Sequence, residues 1–157
     1  LWAALPRLLE ACVVVHVTGP GDEARARAVR DALPEAVRAR YRAHGYMPDL
    51  PVAMVAADLV VARAGASALG EMPAAGVPSI LVPGEYEGWS QAPNAEHMQA
   101  AGASVMLRNA ELPRLGETVL GLLADEERVQ RMREAARALA RPGAARDIAL
   151  IVMEAAA

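Results

Sequence analysis

Short apolar runs alternate along the chain with stretches whose apolar residues recur at helical spacing. Most of these runs carry valine, leucine or isoleucine at consecutive positions and end at glycine, proline or polar turn residues. A run without a polar face predicts a strand that is buried on both sides. The predicted strands cover residues 12–17, 41–46, 58–62, 78–83 and 103–108.

Helical patterns fill the intervals between these strands. Pro73 lies inside one of them, which predicts a kink or a break, and Gly76 closes that helix. The segment 84–93 follows neither periodicity and is predicted to be a long loop. The predicted helices cover residues 1–11, 22–33, 48–57, 67–75, 94–102, 111–123, 125–140 and 144–156.

The alternation of strands and helices predicts an α/β fold, in which helices cover both faces of a parallel sheet. The 157 residues suit a single domain, and we expect 1–157 to form one. Charged and apolar residues interleave at helical spacing in 125–140, which predicts an amphipathic helix packed on the sheet.

Composition narrows the class of protein. The net charge of −3 argues against a dedicated nucleic-acid surface. Cys12 is the only cysteine, so no intrachain disulfide can form and we expect a buried thiol. The sequence contains neither a transmembrane-length apolar run nor a signal-peptide pattern, and we therefore expect a cytoplasmic protein. Because Leu1 already lies in a predicted helix, we expect the chain to be part of a longer protein.

The candidate ligand-binding residues all follow the ends of predicted strands. In open parallel sheets, ligands bind beyond the carboxyl ends of the strands. Gly65 and Ala66 precede a helix whose free N–H groups and dipole favour an anion. Ser67 is a candidate either to cap this helix or to bind the same anion. A capped helix with small packing residues is the alternative. Glu71 follows one turn later and suits the hydroxyls of a ribose, although a solvated helix glutamate would also fit the pattern.

A second group of candidates follows the strand 78–83. Gln91 and Asn94 are three residues apart and share one helix face, where their amides suit sugar hydroxyls. Asn94 is equally well explained as a helix N-cap. Tyr46 suits stacking on a planar base, or burial in the core. His16, His44 and His97 show no metal-site or triad spacing, and no general base is apparent.

Two segments together resemble a known family. The stretches ADLVVARAGASALGEMPAAGVPSILVP and QAPNAEHMQAAGASVML are similar to the C-terminal domain of the MurG-type N-acetylglucosaminyltransferases. The family shares an R-x-G-A turn, a glutamate on the next helix, A-A-G-x-P, and a Gln with Asn three residues further on. The match is close over residues 45–110 and looser elsewhere.

The resemblance implies the C-terminal half of a GT-B glycosyltransferase, in which two Rossmann-like domains face each other across a cleft. This half would hold UDP-N-acetylglucosamine, and the other would receive the lipid-linked muramyl-pentapeptide acceptor at the inner face of the cell membrane. It implies Tyr46 against uracil, Met47 at the base edge through its backbone, and Leu50 lining the same pocket. The remaining implied roles are the diphosphate for Gly65, Ala66 and Ser67, the ribose for Glu71, and the N-acetylglucosamine hydroxyls for Gln91 and Asn94.

The resemblance also implies inverting transfer without a metal or another cofactor. Membrane contact and the catalytic base would belong to the other domain, so we expect this chain alone to be inactive. Three features depart from the family pattern. Ala68 stands where threonine is usual, Ser90 replaces His or Gln, and the loop GEYEGW is uncommon. The alternatives are another UDP-sugar glycosyltransferase, a UDP-N-acetylglucosamine 2-epimerase, and a non-catalytic nucleotide-sugar-binding module.

Overall fold

The computed structural model describes residues 1–156, which form short strands joined mostly by helices. The strands are β1 (Val14–Val17), β2 (Tyr41–His44), β3 (Val60–Arg63), β4 (Ser79–Val82), β5 (Glu85–Tyr86), β6 (Trp89–Ser90) and β7 (Ser104–Met106). The helices are α1 (Leu5–Ala11), α2 (Glu23–Ala32), α3 (Glu35–Arg38), α4 (Leu50–Ala56), α5 (Ala68–Ala75), α6 (Ala92–Ala100), α7 (Leu115–Leu123), α8 (Glu126–Leu139) and α9 (Ala144–Ala155). A 3-10 helix, Asn109–Arg114, precedes α7.

Five of the strands are arranged in parallel, as the sequence pattern predicts. Strand β1 pairs with β2, and β4 pairs with β3 on one side and β7 on the other. Within residues 1–156 no strand pairing joins the two groups, so hydrogen bonding divides the predicted sheet into two parallel sheets. Each parallel connection passes through at least one helix, which is how parallel neighbours are linked.

Strand β4 lies at the centre of the core and is buried along its whole length. Leu81 packs into a cluster formed with α4, α5, α6 and α8. Ile80 and Val82 point the other way, into a cluster with α1, α7 and α8. Since alternate residues of a strand face opposite sides, helices cover both faces of this sheet, and the predicted fold class is confirmed.

A smaller apolar cluster supports the sheet β1–β2. Leu5 and Leu9 of α1 pack there against Tyr41, and side chains from α2 and α3 lie around them. The opposite face of β1 is open, because Val13 and Val15 remain 56% and 46% exposed. The two sheets therefore differ in how completely they are covered.

Several local predictions need correction. Segment 84–93 is not a plain loop, because β5 and β6 form an antiparallel hairpin within it. Helix α6 begins at Ala92, two residues earlier than predicted, since Pro93 is tolerated in a first helical turn. The short helix α3 and the 3-10 helix at 109–114 were not distinguished by periodicity, because both are too short to establish one.

Helix α5 continues through Pro73 rather than breaking there. Pro73 is buried, and the helix runs on to Ala75. Gly76 then adopts φ +60° and ends the helix, with its N–H and that of Val77 both donating to the last turn. A left-handed glycine at this place is the usual helix stop, as the sequence predicts.

The C-terminal helix α9 stands apart from the three clusters. None of its described residues is buried, and its apolar side chains, including Ile148, Ile151 and Met153, are exposed. Among the helices of residues 1–156, none is long and apolar enough to cross a membrane.

Candidate functional site

The candidate residues lie in loops and first helical turns beyond the carboxyl ends of β2, β3 and β4. Tyr46 and Met47 follow β2, and Leu50 begins α4. Gly65 to Glu71 follow β3, and Gln91 and Asn94 follow β4 through the hairpin. Helices α4 and α5 pack against each other, so the first two loops belong to one edge. We call this edge, residues 45–50, 64–71 and 84–94, the rim.

Three successive backbone N–H groups on the rim have no protein acceptor. In the described chain, the amides of Gly65, Ala66 and Ser67 donate to no backbone or side-chain oxygen. Their carbonyls are used, because Ala68 donates to Gly65 at 3.0 Å and Leu69 to Ala66 at 3.2 Å. Unpaired N–H groups at the start of a helix add to its dipole and form a site that suits an anion.

Ser67 occupies the N-cap position of α5 without capping it. Its φ of −61° and ψ of −33° are already helical, and its side chain accepts no cap hydrogen bond. An N-cap side chain bonds the helix start from an extended backbone, and this backbone is not extended. The capping alternative is therefore wrong, and the hydroxyl stays available at the helix start.

Glu71 lies one helical turn after Ser67 and is exposed. Its backbone N–H donates to the Ser67 carbonyl at 2.8 Å, which fixes it in the first turn of α5. Within residues 1–156 its carboxylate has no ion pair or hydrogen-bond partner, so no protein group competes for it. This geometry brings Glu71 onto the same helix end as the unpaired N–H groups.

Gln91 and Asn94 tie the rim loops together. The Gln91 Oε1 atom accepts from the Gly84 N–H at 2.9 Å, and the Gln91 N–H donates to the Gly84 carbonyl, also at 2.9 Å. Asn94 Nδ2 donates to the Ala64 carbonyl at 2.8 Å. The N-cap explanation of Asn94 is wrong, because Gln91 occupies that position and Asn94 sits inside the first turn.

These ties leave one polar atom of each amide without a protein partner in the described chain, namely Gln91 Nε2 and Asn94 Oδ1. A Cβ atom placed on Gly65 would lie 3.6 Å from Gln91 Nε2. The turn after β3 and the start of α6 are thus in near contact. A donor and an acceptor remain beside the unpaired N–H groups, which is the arrangement that a hydroxyl ligand requires.

The candidate residues that follow β2 differ from one another in how deeply they are buried. Tyr46 is 79% exposed, so the buried alternative is wrong. Leu50 packs partly against the core cluster that contains Met54, and Met47 is half-buried. An exposed ring next to an ordered helix start is available for stacking on a planar group.

Sequence reasoning missed the polar network that holds the hairpin. Arg63 donates to the Pro83 carbonyl at 3.3 Å and to Asn109 Oδ1 at 3.1 Å. Asn109 Nδ2 in turn donates to Glu85 at 3.4 Å. Arg63 and Asn109 are 46 positions apart, and Glu85 and Asn109 are 24 apart. No local sequence pattern therefore indicates these contacts. The Glu-Gly pair between Tyr86 and Trp89 was the available signal for the hairpin turn.

Displaced pKa values occur in the sheet β1–β2. Burial raises the pKa of the Cys12 thiol, with Arg40 acting in the opposite direction. Burial also raises the pKa of Tyr41. It lowers the pKa of His16, whose Nδ1 lies 2.9 Å from the Tyr41 hydroxyl. These groups belong to the core side of β1 and β2 and not to the rim.

Two grooves, of about 540 and 570 Å³, lie away from the rim, one beside α6 and α8 and the other beside α2 and β2. Neither is lined by a candidate residue. Residues 1–156 contain no group of three or more His, Cys, Asp or Glu side chains that could hold a metal ion.

The α/β fold of this chain is the one found in GT-B glycosyltransferases, and two solved structures share it. The chain matches a crystal structure of MurG from Acinetobacter baumannii with a TM-score of 0.78 at 23% identity, over 96% of this chain and 44% of that one. It matches the glycosyltransferase of kitacinnamycin with a TM-score of 0.64 at 21% identity, over 94% of this chain and 37% of that one.

The family follows from the sequence comparison. Residues 4–148 match the model of the glycosyltransferase family 28 C-terminal domain, and the chain belongs to this family. Two curated relatives are named UDP-N-acetylglucosamine–N-acetylmuramyl-(pentapeptide) pyrophosphoryl-undecaprenol N-acetylglucosamine transferase. The one from Roseiflexus sp. (strain RS-1) is 37% identical over 96% of this chain, and the one from Alkalilimnicola ehrlichii is 41% identical over 97%. This chain spans 39% and 43% of their respective lengths.

Proposed function

We propose that this chain is the UDP-N-acetylglucosamine-binding half of an inverting glycosyltransferase. The complete enzyme adds N-acetylglucosamine to the lipid-linked muramyl-pentapeptide precursor of peptidoglycan. Support comes from the two curated relatives, which carry this activity in their names and match over nearly the whole of this chain. Residues 1–157 act as one domain, and a second domain provides the acceptor site and the membrane contact.

The observation that carries the proposal is the turn after β3. Gly65, Ala66 and Ser67 present three N–H groups without an acceptor in the described chain, at the start of α5. A diphosphate approaching this turn meets N–H donors and the positive end of a helix dipole. The small side chains leave the backbone open to it, and this stabilises the charge that develops on UDP without a metal ion.

The other rim residues bind the ribose, the sugar and the base of the donor. Glu71 lies one turn from the diphosphate site and accepts hydrogen bonds from the ribose hydroxyls. Gln91 Nε2 and Asn94 Oδ1 remain for the hydroxyls of N-acetylglucosamine. Tyr46 stacks on the uracil, while Met47 and Leu50 border the base. The general base that deprotonates the acceptor hydroxyl comes from the other domain.

Glu71→Ala tests this assignment directly. Hydrogen bonds to a charged partner contribute roughly 1.5–3 kcal/mol, so UDP affinity should fall about ten- to a hundred-fold in titration calorimetry. Stability should change by less than about 1 kcal/mol, because alanine is the better helix former and the side chain is exposed. The matched control is Glu117→Ala, which removes another exposed first-turn glutamate, in α7.

Equal UDP binding by Glu71→Ala and the unmodified chain would refute the ribose assignment. A comparison of the affinities for UDP-N-acetylglucosamine and UDP-glucose tests which sugar the site prefers. Tighter binding of the acetylated donor is expected, whereas equal binding would favour another UDP-sugar glycosyltransferase.

A further inference from the structure

The hairpin β5–β6 presents two aromatic rings on the rim. Tyr86 and Trp89 are directly paired across it, with ring centroids 5.1 Å apart and planes inclined by 26°. Both residues remain 58% exposed. The two rings therefore face each other, and the stacked pair is open to solvent. We call this pair the aromatic platform.

Hydrogen bonds to the rest of the protein hold the hairpin that carries the aromatic platform in place. Two-stranded hairpins alone are marginal in water. Here Gln91 bonds both backbone groups of Gly84 at the base of the hairpin, and Asn109 bonds Glu85. A Cβ atom on Gly84 would lie 2.6 Å from the Tyr86 ring, so the ring covers this glycine closely. Rigid aromatic side chains bind with little loss of conformational entropy.

The platform adjoins the polar atoms assigned to the donor sugar. Trp89 is two residues from Gln91, whose Nε2 has no protein partner in the described chain. Gln91 also bonds Gly84, the residue under the Tyr86 ring. An exposed aromatic surface next to amide groups combines an apolar face with polar anchors, which is the usual composition of a small-molecule site.

The charges on the hairpin narrow the chemistry of the ligand. Glu85 and Glu87 flank Tyr86 and are exposed, so they disfavour direct contact of the hairpin with phosphate groups or an anionic lipid surface. A sugar ring in the pyranose form has an apolar C–H face and an equatorial rim of hydroxyls. That face suits the rings, and the hydroxyls suit the neighbouring amides.

We propose that Tyr86 and Trp89 form a stacking site for a pyranose ring, adjacent to the nucleotide site. The inference rests on the proposed function, because it places a sugar beside the UDP-binding turn. The ring is either the sugar of the donor or the sugar of an acceptor that is held mainly by the second domain, and the aromatic platform recognises the same face in both.

Tryptophan fluorescence provides the test, since the chain has two tryptophans and the other is Trp2. Trp2→Phe leaves Trp89 as the only tryptophan, whose emission can be excited selectively over that of the three tyrosines. Titration with UDP-N-acetylglucosamine should change its emission, whereas UDP alone should not. N-acetylmuramic acid added to the UDP-saturated chain forms the second arm. A response to the donor assigns its sugar to the aromatic platform, and a response to the muramyl sugar alone assigns the acceptor.

Variants separate stacking from a structural role. Trp89→Ala should weaken binding of the responding sugar about five- to ten-fold and leave UDP affinity unchanged, and Trp89→Phe should restore most of the loss. A matching loss of UDP affinity in Trp89→Ala would indicate hairpin disruption and overturn the proposal.

The stacking-site proposal is also wrong if UDP binds but neither sugar alters the emission of Trp89. It is wrong likewise if phosphatidylcholine vesicles alter this emission and the sugars do not. Failure of UDP itself to bind would refute the proposed function instead, and N-acetylmuramic acid titrated into the chain without UDP would then decide the aromatic platform.

Discussion

Strands β4 and β1 have similar apolar sequences but different surroundings. The run SILV in β4 is buried throughout, with Ile80 and Leu81 both at 0% exposure. The run VVVHV around β1 leaves Val13 and Val15 about half exposed. Strand β4 lies between two hydrogen-bonded neighbours and has helices on both faces, whereas within residues 1–156 β1 pairs with β2 alone.

This contrast shows that apolar content indicates a strand but does not determine its burial. Burial depends on the neighbours that the rest of the chain supplies. Alternate residues of β4 reach two separate clusters, so both faces contribute to the core. On β1 only the face with Val14 and His16 is covered, by α1 and the Tyr41 side of β2. The sheet around β4 should therefore dominate stability.

The largest expected effect comes from Leu81→Ala in β4. Truncating a fully buried leucine removes apolar contacts and leaves a cavity, and the free energy of unfolding should fall by about 3–4 kcal/mol. Val15→Ala in β1 is the control and should cost less than about 1 kcal/mol, because Val15 is about half exposed. Urea denaturation measures both. Similar losses in the two variants would show that β1 is as well covered as β4.

Much of the fold could be predicted because strand and helix patterns are local. The five parallel strands and most helices follow from apolar runs and helical spacing, and Gly76 marks the end of α5. The separation into two sheets could not be predicted, because strand pairing depends on contacts between distant residues. The hairpin was missed for a related reason. Two-residue strands are too short for a clear alternation.

The candidate site was predictable in position but not in its contacts. Strand ends determine where the rim lies, so Gly65, Glu71 and Gln91 could be named from the sequence. The bonds from Gln91 to Gly84 and from Asn94 to Ala64 join separate loops, and no sequence period encodes them. The roles of these residues toward a ligand remain predictions.

A second prediction tests whether the contribution of a hydrogen bond to stability depends on how deeply the bond is buried. Gln91→Ala removes the acceptor of the buried Gly84 N–H and should lower stability by about 2 kcal/mol. Gln99→Ala is the control, because Gln99 Oε1 also accepts a backbone N–H, from Met106 at 2.7 Å, but in an exposed place. Water can replace that acceptor, so the loss should stay below about 1 kcal/mol. Chemical denaturation of the two variants would contradict this account if the Gln99 variant were the less stable.

A third prediction compares two glycines with similar backbones in the two parts of the molecule. Gly76 and Gly19 have φ of +60° and +76°, so alanine is strained at either site by about 1 kcal/mol. A Cβ atom on Gly76 would also lie 2.8 Å from Arg137 Cγ, while Gly19 has open space around it. Gly76→Ala should therefore cost about 2 kcal/mol and Gly19→Ala about 1 kcal/mol. Equal midpoint shifts in thermal unfolding would mean that Arg137 moves aside without cost.

The smallest expected effect is a pH dependence located in the sheet β1–β2. Burial lowers the pKa of His16, and Asp22 opposes this shift. The folded state thus disfavours protonation relative to the unfolded state, whose histidine titrates near 6.5. The stability contribution of neutral His16 is complete above about pH 6.5 and is lost as the pH falls through the folded pKa. Thermal unfolding at pH 7 and pH 5 should show a small decrease in Tm that His16→Gln reduces. An identical decrease in the variant would place the pH dependence elsewhere in the chain, and β1 would then be distinguished from β4 by its exposure alone.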